Sequence, residues 1–357
     1  MKKHNFSAGP CILPKEVIQK ASEALLNFNE LNLSLIEISH RSKEFVAVMS
    51  KAQSLVRELL NLPKNYSVLF LQGGASTQFL MTAMNLLKTN GKAAYINTGT
   101  WSKKAIKEAQ MFGDINVISS SEDKNFSYIP KDFSCPKDIE YLHFTSNNTI
   151  FGTQFHEFPK VPEDTLLVCD MSSDIFSRNI DASKFDLIYA GAQKNMGPAG
   201  TTLVIIKNEI LNKTGRKIPT MLDFTSHIEK ESMFNTPPVF AIYVSMLTLE
   251  WLKNNGGIEW IEKINNKKAK LLYEEIDRNP LFKGIAAVED RSTMNVTFVL
   301  TDQNKQEEFD KLWNEAGING LKGHRSVGGY RASIYNALPI ESVQVLVNTM
   351  QKLQKTP

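Results

Sequence analysis

The chain has no apolar run long enough to span a bilayer, and its opening Met1-Lys-Lys-His-Asn-Phe-Ser lacks the apolar core of a signal peptide. Nor has it a block of lysines and arginines that would track a phosphodiester backbone: 41 basic and 38 acidic residues are interspersed and leave a net charge of +3. Neither a membrane nor a nucleic acid is therefore expected as a partner. Cysteine is scarce. Cys11, Cys135 and Cys169 form no Cys-x-x-Cys pair, and the odd count predicts reduced thiols in a cytoplasmic protein. Each reads as a small buried hydrophobe rather than a nucleophile. The histidines are few and lack metal-ligand spacing, so no metal site is expected. Internal repeats and low-complexity stretches are absent as well.

What is present begins with size. A chain of 357 residues, 42% of them hydrophobic, can bury a sizeable core and build one large domain plus a smaller one. One stretch organises the rest: Leu187-Ile-Tyr-Ala-Gly-Ala-Gln-Lys-Asn-Met-Gly-Pro-Ala-Gly-Thr-Thr-Leu-Val-Ile-Ile206. An apolar run ends in small residues, presents Lys194, turns through Gly197-Pro198-Ala199-Gly200 and re-enters a second apolar run. Strand, tight turn, strand is the natural reading. The small neighbours leave room beside Lys194 for a flat, bulky group. A lysine so placed is either a desolvated amine of the kind that forms Schiff bases with carbonyls or an ordinary hairpin lysine in water.

Taken in order, Phe6-Ser-Ala-Gly-Pro-Cys-Ile-Leu-Pro14 reads as an extended leading segment. Val17, Ile18, Ala21, Leu25 and Phe28 recur at helical spacing and predict a helix over Lys15 to Phe28. A second helix is expected from about Lys43 to Leu60, with the short basic cluster Ser39-His-Arg-Ser42 in the loop before it. Tyr66 to Leu71 reads as a buried strand that runs through Gln72-Gly-Gly-Ala-Ser-Thr-Gln78 into a helix, Phe79 to Lys88. Glycines followed by Ser-Thr at such a turn either hold a phosphate on backbone N–H groups or simply cap the helix. Strands follow at Ala93 to Asn97, Ile115 to Ser119, Ile139 to Phe144, Leu166 to Asp170 and Asp186 to Ala190, with a helix from about Trp101 to Phe112.

That alternation, with near-continuous apolar strands, predicts an α/β fold: a mostly parallel central sheet covered by helices. Ligands of such sheets sit beyond the carboxyl ends of the strands, and the polar residues found there are Ser76, Trp101, Thr149, Asp170 and Lys194. A helix from about Phe240 to Lys253 then leads to Asn254-Asn-Gly-Gly257, the expected domain boundary. The reading is a large domain over 16–256 and a small α+β C-terminal domain over 257–357, joined by the N-terminal segment 1–15. The small domain should hold helices at 258–278, 306–316 and 340–353, and strands at 295–300 and near 330–335.

A pyridoxal phosphate enzyme needs a lysine for the aldehyde, a carboxylate at the pyridine nitrogen, a phosphate cup and an aromatic to stack on the ring. Lys194, Asp170, the turn from Gly73 to Thr77 and Trp101 supply these in turn. Further motifs are Phe6-Ser-Ala-Gly-Pro10, Ser39-His-Arg-Ser42, Leu71-Gln-Gly-Gly74, Asn147-Asn-Thr-Ile150, Asp170-Met-Ser-Ser173 and Gly191-Ala-Gln-Lys-Asn-Met-Gly-Pro198. Asn235-Thr-Pro-Pro238 and Gly323-His-Arg-Ser-Val-Gly-Gly-Tyr-Arg-Ala-Ser333 complete the set. By these motifs, in this order, the chain resembles the phosphoserine aminotransferases over essentially its full length. These are dimeric fold-type I pyridoxal phosphate enzymes of the class V aminotransferase family.

The resemblance implies roles residue by residue. Lys194 would be the Schiff-base lysine and proton shuttle, Asp170 the partner of the pyridine nitrogen, and Trp101 the stacking aromatic. Ala75, Ser76 and Gln193 would hold the cofactor phosphate, with Thr149 near the ring, while Asn235 and Thr236 would reach that phosphate from the other subunit of a homodimer. Arg331 would clamp the substrate α-carboxylate, and His324, Arg325, His40 and Arg41 would form the distal phosphate and γ-carboxylate site. The implied reaction is a ping-pong transamination from L-glutamate to 3-phosphohydroxypyruvate, giving 2-oxoglutarate and phosphoserine in serine biosynthesis. One position departs from the family: Ser76 stands where many members carry an arginine that helps hold the substrate phosphate. Two rival functions are a cysteine desulfurase or lyase, which would need a nucleophilic cysteine on a mobile loop, and a non-catalytic phosphometabolite-binding protein.

Overall fold

Runs rich in Val, Ile, Leu and Tyr become the strands of a seven-stranded sheet, which organises residues 2–355, the part of the chain this computed structural model describes. In chain order the first elements are β1 (His4–Asn5), α1 (Lys15–Leu26), α2 (Lys43–Leu59), β2 (Tyr66–Leu71), α3 (Gly74–Leu86), β3 (Lys92–Asn97) and α4 (Thr100–Ala109). Then come β4 (Asp114–Ser120), β5 (Tyr141–Thr145), β6 (Leu166–Asp170), β7 (Leu187–Gly191), β8 (Thr202–Lys207), α5 (Phe224–Glu229) and α6 (Val239–Asn254). The last are α7 (Gly257–Arg278), β9 (Phe282–Gly284), β10 (Asn295–Leu300), α8 (Gln306–Glu315), β11 (Ile318–Asn319), β12 (Tyr330–Ser333) and α9 (Ile340–Lys355).

The large sheet runs β2-β8-β7-β6-β5-β3-β4, with β8 antiparallel to both of its neighbours and the other pairings parallel. Side chains alternate across a strand, so β7 sends Leu187 and Tyr189 to one face and Ile188 and Ala190 to the other. The first face packs under α3 and α4 with Phe79, Leu86 and Ala105; the second packs under α1, α2 and α6 with Val17, Met49, Val56 and Leu249. Burial of each such side chain stabilises by roughly 1.5–3 kcal/mol. Covering both faces is what makes the strands read as unbroken apolar runs.

A second core forms around the antiparallel sheet β12-β10-β9, with Phe298 and Val296 packed on Leu272 of α7, Phe309 of α8 and Leu346 and Met350 of α9. Helix α7 serves both cores, since its Ile258 and Ile261 pack with the large sheet's helices while Leu272 and Ile276 pack here. The leading segment also belongs to this second body: β1 pairs in parallel with β11, and Phe6 is fully buried in its core.

Several elements differ from expectation for local reasons. Helix α1 stops at Leu26 because Asn27 turns extended, which swings Phe28 into the core. Helix α3 begins at Gly74 rather than Phe79: Gly73 caps it at φ 90°, where a Cβ would lie 1.9 Å from the Thr77 hydroxyl. The glycine-rich turn is thus the first turn of the helix. Between β7 and β8 the chain makes no tight turn but a helical one, in which the N–H groups of Met196 and Gly197 both donate to the Ala192 carbonyl. The two-residue strands β1 and β11 were not foreseen, since they are too short to show a period.

A buried polar network joins the two bodies. The Asn147 amide donates to Asn295 Oδ1 (2.8 Å), and the Asn295 amide donates to Ser333 Oγ (2.9 Å) and the Tyr335 hydroxyl (3.1 Å), which itself donates to the Ala8 carbonyl. Asn295 is wholly buried, so its removal strands several polar groups without water. Asn295→Ala should therefore destabilise the protein by about 2–4 kcal/mol, read as a lower urea midpoint. An unchanged midpoint would show that the network is not what holds the bodies together.

Candidate active site

Parallel strands deliver their following residues to one edge of the sheet. Ala75 and Ser76 follow β2, Trp101 follows β3, Thr149 follows β5, Asp170 ends β6, and Gln193 and Lys194 follow β7. Trp101 is set by its local turn. Gly99 takes φ 147°, and a Cβ there would lie 2.1 Å from the Asn148 amide nitrogen, which donates to the Thr98 carbonyl. Ser102 Oγ accepts from the N–H groups of Thr98 and Gly99, both at 3.0 Å, and this fastens the start of α4. Glycine at 99 therefore lets the chain leave β3 close enough to Asn148 to carry Trp101 over the strand ends.

Lys194 is buried, and its Nζ donates to Thr149 Oγ1 at 2.7 Å and stands 5.7 Å from the centroid of the Trp101 ring. Burial lowers its pKa to about 8, assisted by the charge of Arg331 and opposed by the carboxylate of Asp170. A substantial fraction of this amine is therefore neutral in mildly alkaline solution, as a nucleophile or proton acceptor requires. Asp170 is buried too, which raises its pKa. The Ser172 N–H donating to Asp170 Oδ1 at 2.9 Å, together with the Lys194 charge, works the other way and favours the carboxylate. Ser172 also accepts from the Gly191 N–H at 3.1 Å, tying the ends of β6 and β7 together.

The leading segment closes the back of the site. The Cys11 N–H donates to the Gln193 carbonyl and the Cys11 thiol to the Lys194 carbonyl, while Gly9 lies against both side chains. Burial pushes the Cys11 thiol up to about 12, so it is a poor nucleophile despite its position. Lys268 is buried as well, its ammonium bonded to the Ile334 and Tyr335 carbonyls at 2.8 and 2.7 Å, which fixes the chain just after β12.

Cations line the opposite side. Arg331 Nη1 lies 3.4 Å from the Thr149 carbonyl, so Arg331, Thr149 and Lys194 form one connected group. Partial burial lowers the pKa of His324, and the charges of Arg331, Arg325 and Lys104 lower it further. Lys104 was not foreseen. It sits three residues after Trp101 on α4, with Nζ 4.6 Å from the indole centroid, and that helical spacing was the available signal. Ser172 was likewise missed, although Asp-x-Ser is a spacing at which a backbone N–H returns to the carboxylate.

Among the described residues, no hydrogen bond or ion pair joins His40 or Arg41 to Lys194, Arg331 or His324 within one chain. Asn235 and Thr236 are exposed; the Thr236 carbonyl accepts from Gln72, and Asn235 shares a cavity of about 190 Å³ with Gly73 and Thr77.

The arrangement fits pyridoxal phosphate. Two donors, Trp101 Nε1 and Arg331 Nε, are buried without a partner, and the first turn of α3 directs backbone N–H groups to the same strand edge. A buried amine of lowered pKa feels the charge of a buried carboxylate. The lysine, the acid, the aromatic and the helix N-terminus all stand at one edge of the sheet.

Comparison with known proteins gives the same picture. The family described as "Aminotransferase class-V" matches residues 3–346. The phosphoserine aminotransferase of Flavobacterium psychrophilum is 67% identical over 355 residues, covering 99% of both chains. The structure of the phosphoserine aminotransferase from Bacillus circulans subsp. alkalophilus superposes with a TM-score of 0.96 at 44% identity, covering 99% of each chain. That of the pyridoxal phosphate-bound enzyme from Trichomonas vaginalis gives 0.92 at 36% identity, covering 98% of this chain and 100% of that one.

Reductive alkylation tests the electrostatics. In cofactor-free protein, a small aldehyde with cyanoborohydride should label Lys194 with an apparent pKa near 8, whereas exposed lysines titrate near 10.4. Burial lowers Lys268 to about 7, but Lys268 is sealed from solvent and should remain unlabelled. Peptide mapping across pH reads both, and a Lys194 midpoint above 10 would refute the lowered pKa.

Proposed function

The chain belongs to the class-V aminotransferase family, and from that premise we infer a ping-pong transamination between L-glutamate and 3-phosphohydroxypyruvate. It yields 2-oxoglutarate and O-phospho-L-serine and serves L-serine biosynthesis. The protein is a pyridoxal phosphate-dependent enzyme with the fold-type I architecture. The observation that carries the reading is the buried amine of Lys194, bonded to Thr149, which also meets Arg331, and acted on by the charges of Asp170 and Arg331.

Pyridoxal phosphate, when bound, supplies a carbonyl carbon that takes the amino group and a conjugated ring that spreads the electron pair left at the substrate α-carbon. Asp170 would face its pyridine nitrogen and Trp101 its ring, while Ala75, Ser76 and Gln193 would hold its phosphate. Lys194 does the proton work: with its pKa lowered to about 8, Nζ can take the proton from the substrate α-carbon and return it. Thr149 Oγ1 orients that nitrogen, while the Ser172 N–H and the Lys194 charge favour the ionised form of Asp170 against the penalty of its burial. Arg331 grips the α-carboxylate of either substrate with paired N–H bonds, and His324 and Arg325 receive the distal anion. One cation set thus serves both half-reactions. A desulfurase reading is disfavoured by the three thiols: Cys169 is sealed in β6, and burial raises the pKa of Cys11 and Cys135.

We read the chain as a cytoplasmic homodimer of protomers built from domains 16–256 and 257–357. Free thiols support the compartment. Exposed Leu25, Leu26, Leu31, Leu33 and Ile36, just before His40-Arg41, support a covered face. His40, Arg41, Asn235 and Thr236 would then complete the partner's site, consistent with the absence, among the described residues, of any hydrogen bond from them to Lys194 in their own chain.

Substrate comparison tests the reading. With 2-oxoglutarate as acceptor, phosphoserine should be an efficient amino donor while serine and alanine are poor ones, and Lys194→Ala should abolish turnover in folded protein. Comparable use of serine, or substantial activity in the variant, overturns it. A second experiment addresses the dimer: inactive Lys194→Ala and Arg41→Ala chains, mixed and exchanged, should regain activity in the hybrid. A verified hybrid that stays inactive places Arg41 in its own chain's site or outside any site.

A further inference from the structure

We propose that Lys104 is a specificity-determining residue of this site, placing its ammonium beside the distal phosphate of phosphoserine and contributing much less to the distal carboxylate of glutamate. The inference rests on the functional reading above and adds a residue to it that the sequence motifs did not contain.

Position comes first. Residues three apart on a helix share a face, so Lys104 returns over the side chain of Trp101, with Nζ 4.6 Å from the ring centroid. The same indole lies 5.7 Å from Lys194 Nζ. Trp101 therefore links the added cation to the reacting amine, and Lys104 stands at the rim of the catalytic group.

Partners come second. The neighbouring Lys103 is paired with Glu122, but among the described residues no carboxylate lies within 4.0 Å of Lys104. Its charged company is of its own sign. His324 lies in the field of Arg331, Arg325 and Lys104, and among the described residues no carboxylate pairs with it within 4.0 Å. Arg331 likewise has no carboxylate close by, while its Nε is buried without a partner. Cations gathered without an acid repel one another, and an anion in their midst removes that cost.

The chemistry of the anion then decides the selectivity. A phosphate monoester carries about −1.5 to −2 charges at pH 7, against one for a carboxylate. An exposed ammonium on a flexible stem acts as a point charge rather than a bidentate clamp, so its contribution scales with the charge it meets. Ser76 brings no charge from the start of α3. In this chain the added cation comes instead from α4.

The test compares Lys104→Met and Lys104→Arg holoenzymes with wild type. For Lys104→Met, kcat/KM should fall about tenfold with phosphoserine but no more than about threefold with glutamate, mainly through KM. Inhibition by inorganic phosphate should weaken in parallel, and Lys104→Arg should restore both. The His324 imidazole, titrated by NMR, should show a raised pKa in Lys104→Met, which a purely structural role would not produce. Equal losses on the two donors, or no loss, overturns the proposal, as does a His324 titration that does not move. If the wild type itself ignores phosphoserine, the functional reading fails. A phosphoserine-competent wild type with an indifferent Lys104→Met sinks this inference alone.

Discussion

Everything in the site depends on keeping an amine and a carboxylate out of water at the same strand edge. Lys194 alone in that position would lose its proton readily, and Asp170 alone would tend to gain one. Within reach of each other's charge, each moderates the other: the acid's charge raises the pKa of the amine, and the amine's charge favours the ionised acid. The result is a base with its pKa lowered to about 8 and an acid whose ionised form is favoured against its burial. Neither property belongs to a single residue, so the backbone has to fix their separation. Ser172 does this by bonding the Asp170 carboxylate with its N–H and the Gly191 N–H with its hydroxyl.

The surrounding polar network has a similar logic at larger scale. Asparagines at 147, 195, 265, 295 and 336 bond across the two cores where an apolar packing could have slid. Directional bonds define one relative placement of the bodies, and Arg331, carried on β12, is thereby held at a fixed place relative to Lys194, carried after β7. Hydrophobic burial supplies the bulk of the stabilisation, while these bonds select the registry.

Much of this was legible in the residues. The central strands were readable because burial on both faces leaves uninterrupted apolar runs, as at Val68-Leu69-Phe70-Leu71 and Ile188-Tyr189-Ala190. Lys194 and Asp170 each had an ordinary alternative, as a hairpin lysine and a strand-end residue, and stood out only together, at the ends of successive apolar runs with Trp101 and the Gly73-to-Thr77 turn. The start of α3 was misplaced because Gly73 and Gly74 read as loop, whereas the first adopts φ 90° as a cap and the second begins the helix. Cys11 read as part of a leading segment because no local pattern tells where an extended strand will dock. Lys104 escaped because a single lysine on a polar helix face resembles any solvated lysine until the cations from β12 and the loop before it arrive beside it in space.

The docking of the leading segment has a consequence for what closes the site. Asn5 meets Asn319 across 314 residues, and Ala8 receives the hydroxyl of Tyr335 from 327 residues away. The stretch that seals the backbone of Lys194 is therefore tied down by contacts of very large sequence separation, the kind that carry the highest loop-closure cost. The large sheet needs none of them, since all its strands fall between Tyr66 and Lys207. The scaffold that carries Lys194 and the cover laid over it are thus separable: one is closed by pairings within the sheet, the other by the second body.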